Sequence, residues 1–255
     1  MSDVYDLPRL EKLLKAQNIN KKINFYTSTE STNLLASQTS SDEIFLADHQ
    51  SNGRGRRGKT WITPSGQSIA LSVSHRFQAP LAELAGLNIA VAVAVIKTFN
   101  HFGIEGFFLK WPNDIYGDNG KVGGILIEAS GNQVNSRAIV GIGLNWCVDQ
   151  ALQQDISQKH MNIPTKNLDK TNFVAQLIIQ LEKTFKEFNN NQLNLLMSIW
   201  NQYDKYRNQQ VQIIQGDSHT LAKYLNITSK GELLVKIGNE TKTISAGEVS
   251  MRKVD

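Results

Sequence analysis

Residues 107–128 read FFLKWPNDIYGDNGKVGGILIE, from Phe107 to Glu128, and the punctuation of this stretch decides the fold. Phe107 to Trp111 has the apolar and aromatic content of a short strand. Pro112 brings no N–H to a ladder and turns the chain out of the sheet at Asn113 and Asp114. A turn over Gly117 to Gly120 leads to Lys121, after which Val122, Ile125, Leu126 and Ile127 spell a second buried strand, ended by Glu128. Gly123 and Gly124 interrupt it, and a glycine pair inside a strand removes bulk where another backbone or a ligand comes close.

Working outward, Arg137 to Asn145 reads as one more buried strand, interrupted by Gly141 and Gly143. Two glycine-marked strands point to a ligand lying across the sheet, although close helix packing leaves the same mark. Before the stretch, Leu84 to Phe99 is the most apolar segment; Asn88 and Lys97 break it, and it falls short of the ~20 residues that span a bilayer. It reads as a buried helix of a soluble protein. Ile69, Leu71 and Val73 alternate with Ala70, Ser72 and Ser74 as a strand, and Ile44 to Ala47 and Ile23 to Tyr26 give two more.

Leu7, Leu10, Leu13 and Leu14 fall at helical spacing with Pro8 in the first turn. The hydroxyl-rich run Thr27 to Asn33 stands before Leu34 and Leu35, where such residues cap a helix, and a helix start presenting hydroxyls also suits a small polar ligand. Farther on, Thr171 is placed to cap a helix carrying Phe173, Leu177, Leu181, Phe185 and Phe188. The break at Asn189 to Asn191 separates it from a second helix with Leu195, Leu196, Ile199, Trp200 and Tyr203. Short strands follow at Val211 to Ile214, Leu221 to Ile227 and Leu233 to Ile237, with turns at Gly216, Gly231 and Gly238, as in a small barrel appended to the main sheet.

Between two of the strands lies Gln50 to Trp61, QSNGRGRRGKTW. Gly53, Gly55 and Gly58 let the backbone turn its N–H groups toward an anion, while Arg54, Arg56, Arg57 and Lys59 bring fixed charge. Such a loop suits closure over an anion and is expected to be mobile until one arrives. A solvated basic loop or a nucleic-acid contact has the same composition.

With 27 basic and 23 acidic residues the net charge is only +4, which weakens a nucleic-acid reading. The single cysteine, Cys147, leaves no internal disulfide, fits a reducing interior and reads as a small buried residue. The five histidines, His49, His75, His101, His160 and His219, show no metal-ligand spacing. Charged residues from Asp3 to Lys12 interrupt any signal-peptide pattern, so the cytoplasm is the expected compartment.

The blocks KWPND at Lys110 to Asp114 and KVGGILIE at Lys121 to Glu128, with Ser31, Thr32, Asn33 and the Gly53 to Gly58 loop, resemble bacterial biotin protein ligases. The resemblance runs from about Tyr26 to the C-terminus. It implies an α/β (α+β) fold, with a mixed-sheet catalytic domain over residues 1–207 and a small SH3-like β-barrel domain over 208–255. Only about 25 residues precede the first block, too few for a winged helix-turn-helix of three helices, so the monofunctional form without DNA binding is expected.

The resemblance further implies ATP, Mg²⁺ and biotin as the reactants' set. Biotin's carboxylate attacks the α-phosphate to give biotinyl-5′-AMP, and the acyl group then passes to a lysine of the biotin carboxyl carrier protein of acetyl-CoA carboxylase. Lys121, Arg54 and Arg56 are the expected catalytic cations. Ser31, Thr32, Asn33, Gln50, Gly53, Gly55, Gly124 and Gly141, with those cations, are expected around biotin. Trp61 is expected to cover the adenine or the folded loop, Asn113 and Asn145 to reach phosphate or adenine, and Asp114 to orient Mg²⁺ or to close an Asx-turn. A lipoyl or octanoyl ligase shares this chemistry and fold, but is not expected to carry the arginine loop. A nucleic-acid-binding regulator would need a reading helix, and none is legible. A monomer and a homodimer are equally compatible with the sequence.

Overall fold

The alternating and glycine-marked segments assemble into one large sheet whose two faces are used differently. The computed structural model describes residues 5–149, 159–189, 193–247 and 249–253. The sheet holds β1 (Ile23–Thr29), β2 (Ile44–Gln50), β3 (Ser68–Phe77), β4 (Phe108–Lys110), β5 (Asp114–Tyr116), β6 (Lys121–Gly131) and β7 (Ser136–Asn145). Their order is β1-β2-β3-β7-β6-β5-β4, and only β1 and β2 run parallel, so the sheet is mixed as expected.

One face is covered by helices. Ile69, Leu71 and Val73 of β3 and Val140, Ile142 and Leu144 of β7 enter a core shared with α1 (Leu7–Lys15), α3 (Leu87–His101), α4 (Lys170–Asn189) and α5 (Leu193–Tyr203). Helix α3 is apolar on nearly every side and correspondingly buried, with Ile89 to Val95 inaccessible to solvent. Counted from Leu81 to His101 this segment is long and apolar enough to cross a membrane, contrary to the sequence estimate, but it packs here as a core helix. On the same face His75 packs edge-on against Phe77 and tilted against Phe185, beside the Lys21–Glu182 ion pair at 2.6 Å.

The other face carries the short α2 (Thr32–Ser37) and the arginine loop. Register sets its floor: Ser72 pairs with Gly141, which pairs with Leu126, and Ala70 pairs with Gly143, which pairs with Gly124. Gly124 and Gly143 therefore lie side by side, while Gly141 lies between Ser72 and Leu126.

A second, antiparallel sheet has the order β11-β10-β9-β8-β12, from β8 (Gln210–Gln215), β9 (Ser218–Ile227), β10 (Leu233–Ile237), β11 (Glu240–Ile244) and β12 (Val249–Lys253). Its buried Val211, Tyr224 and Val235 belong to the same continuous core as Leu109 and Trp111 of the large sheet. Two polar seams fix the contact. The Trp111 indole donates to the Gly231 carbonyl at 3.0 Å. Asp204 accepts from Trp200 Nε1 at 3.0 Å and from the Tyr224 hydroxyl. Gly231 has φ +73°, and a Cβ there would meet Gly86 Cα at 2.7 Å, so the close approach of the β9–β10 turn to the start of α3 requires glycine.

Four expectations change. The chain does not leave the sheet after Pro112; it turns and pairs back at once as β5, because Asp114, Ile115 and Tyr116 supply the ladder that Pro112 lacks. Asp169 rather than Thr171 caps α4, accepting from the Asn172 N–H at 2.8 Å, while Thr171 Oγ1 accepts from the Asp6 N–H. Cys147 is exposed, because β7 ends at Asn145 and the chain emerges there. The helix before the asparagines extends through Asn189; Asn190 and Asn191 lie outside the described residues.

Candidate active site

The glycine-lined face of the sheet, the start of α2, the arginine loop, the β4–β5 turn and β12 enclose a cavity of about 400 Å³. That size suits a small molecule and part of a nucleotide. Every expected site residue lines it except Gly53, which lies behind the wall: a Cβ there would stand 2.3 Å from the Trp61 carbonyl oxygen, so Gly53 serves the loop's own packing.

At one end, α2 presents a polar cluster. Ser31 holds the N-cap position but makes no side-chain capping bond, which leaves its hydroxyl available in the cavity. Gln50 Oε1 accepts from the Thr32 N–H at 2.8 Å, and Gln50 Nε2 donates to Thr63 Oγ1 at 2.9 Å. The Ser72 hydroxyl lies 2.6 Å from Asn33 Oδ1 and 2.7 Å from Thr32 Oγ1. Asn33 Nδ2 donates to Glu128 at 2.7 Å, and Glu128 stands 3.7 Å from Arg54. Buried polar groups are thus tied into one network, which fixes their directions before any ligand meets them.

The arginine loop is folded over the cavity. Its base is pinned where three successive residues of β2 grip the far end: Asp48 accepts from the Gly66 N–H at 2.7 Å and from the Ser65 hydroxyl, His49 Nδ1 donates to the Thr63 carbonyl at 2.8 Å, and Gln50 holds Thr63. Within the loop the Trp61 N–H donates to Gly53 and the Gly55 N–H to Lys59, at 2.8 and 2.6 Å. Arg56 reaches across to the second sheet, donating to the carbonyls of Ala246 and of Gly247, the latter at 2.9 Å, and to Asn113 Oδ1 at 3.3 Å. Arg54 is met by Glu128 and Arg56 by main-chain oxygens. Burial lowers the Arg56 pKa, and nearby Asp114 opposes that shift.

The opposite end is cationic. Lys121 Nζ lies 2.6 Å from Asp114 Oδ1 and 5.6 Å from the Trp61 ring. Lys110 is 9% exposed and stands 3.9 Å from the other Asp114 oxygen and 3.4 Å from the Tyr116 hydroxyl. Burial lowers its pKa, Asp114 partly offsets this, and Lys121, Arg252 and Lys59 lower it further. Asp114 is the one carboxylate among the lining residues. Asn113 Nδ2 donates to the Ile125 carbonyl at 2.6 Å and Asn145 Nδ2 to the Lys121 carbonyl at 3.1 Å, so both amides brace β6 as well as line the cavity.

The floor glycines are not bare. A Cβ on Gly141 would stand 2.3 Å from Asn33 Oδ1, and one on Gly143 2.4 Å from the Trp61 ring. Close packing of α2 thus explains Gly141, and the Trp61 indole occupies the space over Gly143 and Gly124. The indole N–H is buried with no hydrogen-bond partner among the described residues, a donor suited to an acceptor on a bound molecule.

Sequence reasoning missed four participants: Lys110, which stood inside the quoted stretch but read as part of a strand; Gly143, noted but given no role; and Ser72 and Glu128, which only register brings beside Asn33.

Residues 22–145 match the biotin/lipoate A/B protein ligase family. The bifunctional ligase/repressor BirA of Escherichia coli K12 is 28% identical over 98% of this chain and 82% of its own length. The biotin–[acetyl-CoA-carboxylase] ligase of Mycobacterium tuberculosis is 27% identical over 94% of this chain and 92% of its own. Among solved structures, the biotin protein ligase of Aquifex aeolicus in complex with biotin and ATP superposes with a TM-score of 0.76 at 21% identity, covering 92% of this chain and all of that one.

Proposed function

We propose that this chain, which carries a domain of the biotin/lipoate A/B protein ligase family, is the ATP-dependent ligase that activates biotin and attaches it to protein. In the first step a carboxylate oxygen of biotin bonds to the α-phosphorus of ATP, the bond from that phosphorus to the bridging oxygen breaks, and pyrophosphate leaves with the electron pair. In the second, a lysine amine of the carrier attacks the acyl carbon, loses a proton, and AMP departs. The observation that carries this reading is the joining, within one cavity, of a neutral hydrogen-bonding cluster (Ser31, Thr32, Asn33) to a cationic one (Lys121, Arg54, Arg56).

The first cluster suits a neutral, polar ring, which is costly to bury without fixed partners. Gln50 orients it through Thr32 and Thr63. The second cluster suits the meeting of two anions, where fixed positive charge in a dry site stabilises the charge that grows on the phosphate. Lys121 exchanges Asp114 for the α-phosphate, and Arg54 and Arg56 close over the mixed anhydride and keep water from it. Gly55 and Gly124 leave room on the wall and floor, and Trp61 offers its N–H and ring to the nucleotide.

ATP-dependent ligases use Mg²⁺, which neutralises phosphate charge when bound. Among the described residues no group of three histidines, cysteines or carboxylates forms a metal site, and Asp114 is engaged by Lys121. The residues do not form a dedicated cage, so the ion is assigned to the nucleotide's own phosphates and water, and no step here runs through it.

The carrier is assigned as the biotin carboxyl carrier protein of acetyl-CoA carboxylase, and the protein as a cytoplasmic monomer or homodimer without DNA affinity. Pyrophosphate release on mixing the chain with ATP and Mg²⁺ tests the whole reading. Release with biotin and not with lipoate is expected; release with lipoate alone would make the chain a lipoyl ligase.

A further inference from the structure

The cationic end of the cavity holds more positive charge than the α-phosphate step uses. Lys110 and Lys121 share the single carboxylate of Asp114, and the closer of the two, at 2.6 Å, is Lys121. Lys110, on β4, is left with a 3.9 Å approach to the second oxygen and a neutral hydroxyl at 3.4 Å, although only 9% of its surface meets solvent. Its Nζ lies 4.9 Å from the Tyr116 ring, and the side chain lines the cavity. Arg252 of β12 and Lys59 of the loop line the same end. An ammonium taken from water without a close counter-charge is costly, and several such cations around one carboxylate make a site that is incomplete without a further anion.

We propose that Lys110 binds the β- and γ-phosphates of ATP and so holds the pyrophosphate leaving group of the adenylation step. This rests on the ligase reading above and adds a division of labour to it. Lys121 serves the phosphorus under attack, while Lys110 takes the charge that accumulates on the bridging oxygen as that bond breaks. Biotinyl-AMP, which has no β-phosphate, owes nothing to Lys110. The assignment therefore separates the two half-reactions.

The test compares the full-length parent with Lys110→Met, whose unbranched chain keeps the packing on Tyr116 and removes the charge. Three quantities are read: KM for ATP, inhibition of adenylation by inorganic pyrophosphate, and transfer from supplied biotinyl-AMP to an acceptor lysine. The expected result is at least a tenfold rise in KM for ATP and in the pyrophosphate inhibition constant, with transfer from biotinyl-AMP within about twofold of the parent. Lys110→Arg should restore pyrophosphate inhibition in part, and Lys110→Gln is read in the same way if the methionine variant fails to fold. Unchanged pyrophosphate inhibition, or an equal loss in the transfer step, overturns the assignment and leaves the ligase reading standing. A parent that makes no adenylate from biotin and ATP overturns both.

Discussion

Asn33 and Gly141 approach so closely that a Cβ on residue 141 would stand 2.3 Å from the Asn33 Oδ1. The amide cannot easily retreat, because Ser72 holds its oxygen and Glu128 its nitrogen. A backbone position in the middle of β7 thus sets the direction of a polar side chain on α2.

Gly141→Ala is expected to displace Asn33 and disturb the polar cluster of α2. Overpacking of this kind costs about 1–3 kcal/mol. A fall in biotin affinity of tenfold or more by calorimetry, with a lowered melting temperature, is the expected outcome. Gly124→Ala, which meets Lys121 Nζ at 3.3 Å and Trp61 at 3.5 Å and not Asn33, should cost less biotin affinity than Gly141→Ala. Equal losses in the two variants would count against the link through Asn33.

Lys121→Ala removes the ammonium at 2.6 Å from Asp114 but nothing from the α2 cluster. Biotin affinity should stay within about tenfold of the parent while adenylate formation is nearly abolished. Normal turnover in this variant would take Lys121 out of the mechanism.

Arg56→Gly unlatches the loop from the carbonyls of Ala246 and Gly247. The loop's base remains pinned by Asp48, His49 and Gln50, so biotin recognition should be little changed. Faster escape of biotinyl-AMP, followed by trapping the released intermediate, is the expected signature. An escape rate equal to the parent's would refute the latch.

His75 carries a pH dependence of stability. Burial first, then Lys21, lowers its pKa from 6.5 to about 4, with Asp42 opposing. Below pH 6.5 the unfolded chain takes up a proton that the folded chain refuses. Stability is therefore complete above about pH 6.5 and declines as the pH falls toward 4, by about 3 kcal/mol over the full window. Denaturant titrations of the parent and His75→Gln at pH 7 and pH 4.5 should differ in slope with pH, and parallel slopes would remove His75 as the cause.

Much of the fold was legible because most strands announced themselves locally, as in the alternation of Ile69, Leu71 and Val73, the turn glycines at 216, 231 and 238 and the apolar helix after Leu84, whereas β11 and β12 were not read. Most of the cavity's lining was legible too, since those residues sit in compact blocks. What stayed hidden depended on pairing. Glu128 and Ser72 look like ordinary strand residues until register places them around Asn33. Gly141 and Gly143 suggested a ligand on the sheet, but a glycine does not reveal what covers it, and here Asn33 and Trp61 do. The three-residue strand β5 was too short to show a period, and Cys147 looked buried only because the emergence of the chain after Asn145 is a matter of topology.

The core that runs unbroken from Leu109 and Trp111 into Val211, Tyr224 and Val235 means that the fifty C-terminal residues are no detachable accessory. Deleting them would strip the back of Trp111, whose ring lines the cavity, and would take away the latch for Arg56. The larger half is therefore not a portable enzyme: shortened to its first 207 residues, it should lose solubility and the power to store its own reactive product together.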